Sequence, residues 1–510
     1  MEIDHLIFRR QFMMGPEKIV HSSIWNLVEL PEGYSVVAHP DLKMTKVEKG
    51  ENSVTLLGYV LDPLNPKLTD RDILEQIVTR NLTYKELFDY FEGLTGRYVC
   101  ISYLHGEYRI FNDPIGFRQV YYCYDTNGKI WSSSQPVMLA ERFGFIISKR
   151  IENDLFGSQL FRDEEEYWYP GSICLYEEIT HLLPNRYIDI KARKQIRFWP
   201  DQDLKRIGVD ECVENVSVLM EQLFESAHSR FDLEIAVTSG LDSRMILAAS
   251  RKISDKVQYF THTHQKLSLS GADIAIPSAM LKQLGLNHAV VFHSDDLDPD
   301  FERVFKGNVI TARKEKGINA FTMYNHFNND KNERVVVHGN AGEITRNFYY
   351  LPPIVPLNGE TLGVLTRMSN SPIAINQFEK WLEEFRSLSK KGIKELDLFY
   401  WEQRIANWAA MSYSEYDIAF ESFSPFSCRR LLMMMLSVDA SLRSPPKFTL
   451  HRSIIHKLWP ELLQFEINPP KNRSMAFRRK LKKTPMYSVY KSIMYLKYSK
   501  IFSKYSRTKM

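Results

Sequence analysis

Between Leu233 and Arg244 the chain reads Leu-Glu-Ile-Ala-Val-Thr-Ser-Gly-Leu-Asp-Ser-Arg. An apolar run passes straight into Thr238-Ser239-Gly240, and helix-forming residues follow at once. A strand that turns directly into a helix aims the amides of the turn and of the first helical turn at one point, which is how a backbone holds a phosphate anion. Gly240 lets the backbone come close, and Thr238, Ser239 and Ser243 offer hydroxyl donors. Asp242 would repel a bare phosphate but suits one when Mg²⁺ lies between them. The same residues also fit an ordinary strand–turn–helix with a cap at Ser239 or Asp242, and the short motif alone leaves both readings open.

The elements around this loop fall into two rhythms. Up to about residue 200 the pattern is strand-rich, with Ser53–Tyr59, Tyr98–Tyr103, Tyr108–Phe111, Val120–Tyr124 and Ile130–Ser133 as short β-branched or aromatic runs. Asn127-Gly128 marks a turn, a helical stretch is expected over Asp70–Tyr90, a closing strand at Pro184–Ile190 and a linker at Arg197-Phe198-Trp199-Pro200. That reads as a layered α+β domain with antiparallel sheets. From about residue 205, strands Leu233–Val237, Val257–Thr261, Ala289–Phe292 and Arg334–Val337 alternate with helices Val213–Ser229, Ser243–Arg251 and Ala272–Leu284. Alternation predicts a parallel sheet covered on both faces, with ligands at the carboxyl ends of its strands. After about residue 375 the chain reads as mainly helical.

Composition sets the bounds. With 510 residues, two domains and a tail are expected: 1–200, 205–475 and 476–510. No run approaches the roughly 20 apolar residues of a membrane span, and the start MEIDHLIFRRQFMMG, with two acids and no long apolar core, does not read as a secretory signal. The five cysteines are odd in number and widely spaced, so neither a disulfide framework nor a cysteine zinc site is expected, and a cytoplasmic setting fits. The net charge of +4 hides an asymmetry: residues 467–510 hold 13 Lys or Arg and no Asp or Glu, so the body is acidic. The basic balance is therefore no nucleic-acid signature for the body, and no nucleic-acid partner is expected.

The phosphate loop resembles the SGGxDS loop of the asparagine synthetase and ATP-pyrophosphatase group, with Thr238 for the first Ser and Ser239 for the first Gly. The likeness continues in order. Gly96-Arg97-Tyr98, Asn112 through Tyr122 and Ser132-Ser133 are similar to the glutaminase-like domain of asparagine synthetases, and Tyr176–Ile190 to its last strand. Asp273 through Leu286 resembles the helix after the second strand of the synthetase domain, Gly339-Asn340-Ala341-Gly342-Glu343 its G-x-G-x-D-E segment, and Glu421 with Pro425-Phe426 its E-x-R-x-P-F-L-D segment. Lys447 and Lys471 resemble two lysine-bearing segments near its end. The likeness spans residues 1 to about 475, and the layout resembles asparagine-synthetase-related proteins of bacterial surface-polysaccharide clusters.

The resemblance implies a mixed α/β and α+β architecture: an N-terminal-nucleophile-hydrolase-like layered domain, then a Rossmann-like parallel-sheet ATP-pyrophosphatase domain with a helical C-terminal part. It implies ATP and Mg²⁺ as cofactors. A substrate carboxylate would attack the α-phosphorus of ATP, and ammonia or an amine would capture the acyl-adenylate as an amide. Asp242 and Glu343 would hold Mg²⁺; Lys471 and Lys447 would meet the phosphates; Val237, Thr238, Ser239, Gly240, Leu241, Asp242, Ser243, Thr261 and Gly339 would border the nucleotide. The family's nucleophilic Cys after Met1 is Glu2 here, so the first domain is expected to have no glutaminase activity. Asn340, Glu343 and Ile344 depart from the family's Glu, Asp and Glu, which argues against asparagine as product and leaves another small-molecule, peptide or saccharide carboxyl substrate, or decayed catalysis in a nucleotide-binding scaffold, as the readings.

Three features stand outside this frame. His262-Thr263-His264 puts two imidazoles on one strand face, as a metal pair or as a pocket rim beside the nucleotide. Tyr400–Arg404 with Trp408 is an aromatic stripe at helical spacing, read as core or as lining of the acceptor pocket. In the tail, Tyr487–Tyr505 alternates apolar residues with Lys after the cluster Arg478–Lys483, as in a basic amphipathic helix. That helix would touch an anionic membrane at its inner face, or dock on the acidic body.

Overall fold

The structure is a computed structural model that describes residues 3–17, 24–163, 167–263, 271–310, 313–328, 334–388 and 392–470, together with positions 484, 486–487, 489–490 and 492–493. The strand-rich half forms two antiparallel six-stranded sheets. One runs in the order Thr180–His181, Tyr121–Tyr124, Ile130–Ser133, Phe12–Gly15, Ser35–Ala38, Asn26–Glu29. The other runs Lys194–Arg197, Arg186–Asp189, Glu107–Asn112, Thr95–Leu104, Asn52–Leu61, Met44–Lys49. The two-residue period of a strand decides which side chains meet. Phe12, Met14 and Val36 of the first sheet pack on Leu57, Val99 and Ile101 of the second. Their neighbours Met13 and Val37 face the helix Pro136–Phe143, and Leu56 and Cys100 face the helices Asp70–Arg80 and Tyr84–Glu92. The result is a helix–sheet–sheet–helix sandwich, as the resemblance implied. The helical stretch expected over Asp70–Tyr90 is present as two helices, because Asn81 turns left-handed (φ 53°) and Thr83 opens a new capping box with Glu86.

The second half holds a five-stranded parallel sheet in the order His288–Val291, Gln258–His262, Asp232–Ala236, Arg334–Val337, Glu421–Phe423. Helices Val209–His228, Leu241–Ala249 and Thr449–Leu458 join the core on one face. Phe260 and Val336 pack on Phe301, Phe305 and Met323 of helices on the other. The edge strand Glu421–Phe423 was not expected: three buried residues show no alternation. From the middle strand, Asp232–Ala236, the next strand lies to one side and Arg334–Val337 to the other. Strand order reverses there, and the crevice at those carboxyl ends is where such sheets bind ligands.

Buried ion pairs join the two halves. Arg97 of the antiparallel half grips Asp417 with both terminal nitrogens (2.5 and 2.8 Å) and reaches Glu421 (2.8 Å), and Arg118 donates to the other Glu421 oxygen at 2.6 Å. The segment expected as a linker is anchored too: Arg197 ends a strand, donates to Glu402 at 2.5 and 2.8 Å and to Glu384 at 2.9 Å. All five cysteines are buried and unbridged.

Burial alone would raise the Glu421 and Glu384 carboxyls, but Arg118 and Arg97 beside the first, and Arg186 and Arg197 beside the second, hold both down at about 2. A depressed folded-state value stabilises the fold above the ordinary carboxylate range, and that contribution is lost as pH falls from 4.5 towards about 2. Thermal melts between pH 2.5 and 7 are expected to show wild type losing stability across this window, with Glu384→Gln lower at pH 7 and flatter below. Parallel acid limbs in the two proteins would contradict this.

Candidate functional site

The loop over residues 238–243 is braced from within. The Thr238 amide donates to Ser243 Oγ at 2.7 Å, and the Gly240 amide to Thr238 Oγ1 at 3.2 Å. Ser239 Oγ donates to Asp273 Oδ1 at 2.5 Å, and the Ser239 carbonyl accepts the Asn468 amide at 3.0 Å. The hydroxyls expected to point at an anion therefore hold the loop's shape. The amides that open the helix Leu241–Ala249 remain as donors, since a helix's first N–H groups have no partner within it. Ser239 does not have a left-handed backbone, so nothing at that position calls for glycine.

The loop after strand Arg334–Val337 closes on this helix start. A side chain at Gly339 would meet Asp242 Cβ at 3.1 Å and Ser243 N at 3.1 Å, and one at Gly342 would meet Asp242 Oδ1 at 2.8 Å. Only residues without a Cβ permit so close an approach. Ala341, fully buried with φ 74°, sits between them in the left-handed region, a strained position for a residue with a Cβ. It starts the tight turn Gly342–Arg346 that carries Glu343.

Asp242 and Glu343, 101 residues apart in sequence, thus face the same spot. Arg346 Nη2 lies 2.9 Å from Asp242 Oδ2 and 3.5 Å from Glu343 Oε1. Asp242 Oδ1 and Glu343 Oε2 are buried and, among the described residues, accept no hydrogen bond. Two carboxylates with one orphaned oxygen each are the donor set that Mg²⁺ takes from a protein when substrate phosphates and water complete its shell. Tyr400, whose phenol is raised first by burial and then by the Glu343 charge, borders the pair and stacks on Phe348 at 4.3 Å.

The other expected residues lie as follows. Val237, Leu241 and Thr261 are buried; the Val237 amide bonds Phe260, and Thr261 Oγ1 donates to the Val237 carbonyl at 2.6 Å and meets His288 Nε2 at 2.8 Å. Their side chains serve the sheet. Lys447 is exposed and lines a separate hollow of about 1000 Å³ with Asp210, Arg452, His456 and Lys457, none of them a loop residue. Lys471, Glu2 and His264 lie outside the described residues, and among those described no group of three or more His, Cys, Asp or Glu is set to hold a metal. Part of the aromatic stripe is core: Trp401 is fully buried with Nε1 on the Pro114 carbonyl (2.8 Å), and Glu402 anchors the seam, whereas Arg404 and Trp408 are half-buried and Tyr400 borders the carboxylate pair.

Two site residues escaped the sequence reading. Arg346 follows Glu343 by three positions, a spacing at which opposite charges meet on a helical turn, and that was the available signal. Asp273 belongs to the helix segment that carries the resemblance, but its contact with Ser239 spans 34 residues and is set by the sheet.

No protein-family model and no curated protein matches the chain. Among solved structures, similarity is found to the allosteric regulatory enzyme of purine biosynthesis (11% identity, 60% of this chain and 74% of that one, TM-score 0.24). It is also found to glutamine phosphoribosylpyrophosphate amidotransferase from B. subtilis complexed with ADP and GMP (11%, 66% and 77%, 0.21). A third is glutamine-dependent NAD⁺ synthetase from Acinetobacter baumannii in complex with ADP (12%, 61% and 61%, 0.21). Likenesses this weak carry no argument about the site.

Burial raises the Asp242 carboxyl from 3.8 to about 7; Arg346 opposes that rise and Glu343 adds to it. The folded state therefore holds a proton that the unfolded chain gives up, and stability falls as pH rises between those two values. Asp242→Asn removes the buried charge, so the metal-free variant is expected to melt above wild type at pH 8, with the gap closing towards pH 4. A variant that melts lower at pH 8 would show that Arg346 outweighs burial.

Proposed function

We propose that the chain is an ATP-dependent carbon–nitrogen ligase. It activates a carboxyl substrate with formation of AMP and diphosphate, and passes the acyl group to ammonia or an amine to give an amide, without using glutamine. The observation that supports this reading is the meeting of Asp242 and Glu343, each with an orphaned oxygen, at the helix start that follows Thr238-Ser239-Gly240. The loop lacks the Gly-Lys-Ser/Thr ending of loops that hold a γ-phosphate for transfer, so it suits the β,γ-diphosphate as a leaving unit. Asp242 and Glu343 would hold Mg²⁺, which when bound would neutralise charge on the phosphates. The amides at Leu241–Ser243 would orient the leaving diphosphate, and Lys471 would add a cation. Asn340 and Ile344, in place of the family's acids, point to an acceptor other than aspartate. Arg346 on the carboxylate pair favours a second reading, a nucleotide-binding scaffold without turnover.

Calorimetric titration with ATP·Mg²⁺ and product analysis with peptide and saccharide carboxylates separate the two. The ligase reading expects binding and release of AMP and diphosphate with ammonia but not glutamine, loss of turnover in Asp242→Asn, and a slowing of roughly a hundredfold in Lys471→Ala, the usual effect of losing one transition-state contact worth about 3 kcal/mol. No binding at millimolar ATP, or equal turnover in wild type and Asp242→Asn, would overturn it.

The tail is a second functional element. Met486, Val489, Tyr490 and Ile493 recur at helical spacing and are 69%, 59%, 42% and 58% exposed, within a stretch rich in Lys and Arg. An apolar stripe among cations suits an anionic membrane surface better than the interior of the body. The rest of the expected helix lies outside the described residues, and no helix among those described is long and apolar enough to cross a membrane. Full-length protein is expected to sediment with phosphatidylserine-containing vesicles at low salt and a chain ending at Asn472 to stay in solution; equal binding by both would refute the membrane role.

A further inference from the structure

Arg346 carries an inference that rests on the ATP·Mg²⁺ reading of this site. A single nitrogen, Nη2, serves both carboxylates, at 2.9 Å from Asp242 and 3.5 Å from Glu343. Arg346 is only 15% exposed along its side chain, and its Nε has no hydrogen-bond partner among the described residues. One guanidinium between two carboxylates leaves the cluster one positive charge short of balance. It also leaves one oxygen on each acid, and one nitrogen of its own, unused. The cluster is thus complete neither as a salt bridge nor as a metal site.

A guanidinium stays charged at any pH a folded protein survives. A divalent cation that enters alone must therefore bind beside a fixed positive charge already holding its ligands. A nucleotide changes this balance, because its phosphates offer Arg346 other oxygens in the planar, two-pronged geometry it prefers. We infer that Arg346 makes metal binding conditional on nucleotide. Without nucleotide it is the counter-ion of Asp242 and Glu343; with nucleotide it moves to phosphate and releases both acids to the metal. The tight turn Gly342–Arg346 suits this role, since Glu343 and Arg346 ride on the same turn and face the same spot.

The probe is Mn²⁺, followed by electron paramagnetic resonance of the free ion, on the full chain with and without α,β-methylene-ATP. Wild type is expected to bind Mn²⁺ weakly alone and tightly with the analogue. Arg346→Gln is expected to bind Mn²⁺ alone at least about tenfold more tightly, because a like charge has left the cluster, and to bind the analogue about tenfold less tightly, because a charged phosphate contact has gone. Arg346→Lys, whose point charge reaches one acid at a time, should fall between, and decides the matter by itself if the Gln variant does not fold. Equal nucleotide-free Mn²⁺ binding by wild type and the folded variants would overturn the inference. If the analogue binds to none of the proteins, the ATP reading fails, while the nucleotide-free comparison still judges Arg346 as a counter-ion to the pair.

Discussion

The buried lattice of Arg97, Arg118, Asp417 and Glu421 is the constraint on which the site's geometry rests. Four charges far from water persist only when each is matched, since removing one partner of a buried pair typically costs about 3–5 kcal/mol. The matching fixes Glu421, and Glu421 opens the short strand that pairs with Arg334–Val337, Val335 against Glu421 and Val337 against Phe423. Beyond the strands the pairing continues: the His338 amide donates to the Phe423 carbonyl at 2.9 Å, and Ser424 Oγ to the Asn340 carbonyl at 2.7 Å. Those two bonds set the path of the loop that brings Glu343 to Asp242. The antiparallel half thus contributes through position: its arginines hold the edge strand that steers the second carboxylate.

Much of this was readable in the residues, and the failures follow a pattern. The antiparallel strands announced themselves through short aromatic and β-branched runs, and Leu233–Ser243 through an apolar run broken by Thr-Ser-Gly, because both signals are local. Asn81 was missed as a helix break because asparagine in a left-handed cap looks like any polar residue between two helices. Glu421–Phe423 was missed because a strand of three covered residues has no period to detect. Arg346 was missed because its partner Asp242 comes from a different crossover, and only the left-handed Ala341 turns the loop so that they meet. Lys447 was placed by likeness with the phosphate site, whereas the chain carries it to another hollow. Contacts made along the chain could be read; contacts made by the order of strands could not.

The loop shows how a departure from a familiar pattern is absorbed. Thr238 for Ser and Ser239 for Gly replace small residues with ones that carry hydroxyls. The structure uses those hydroxyls internally, on the Gly240 amide and on Asp273. The amides at the helix start are left as donors. A loop that recognises phosphate through its backbone tolerates side-chain change, provided that each new polar group finds a partner.

Two of the sets of buried charge in this chain differ in how fully their oxygens are used. At the seam, both Glu421 oxygens receive an arginine nitrogen, both Asp417 oxygens are taken by Arg97, and both Glu402 oxygens by Arg197. At Asp242 and Glu343 one oxygen of each acid is left over, beside a strained alanine and two glycines whose lack of a Cβ lets the loops touch. A chain able to satisfy the carboxylates of the seam so fully had the means to satisfy these. Leaving them short is costly, since an unmatched buried acceptor loses its water and gains nothing in return. Under the proposed function, that cost would be recovered when a cation supplies the missing contacts. This unequal satisfaction sets Asp242 and Glu343 apart from the acids of the seam, and under the proposed function the two oxygens left over would be the ones a cation takes.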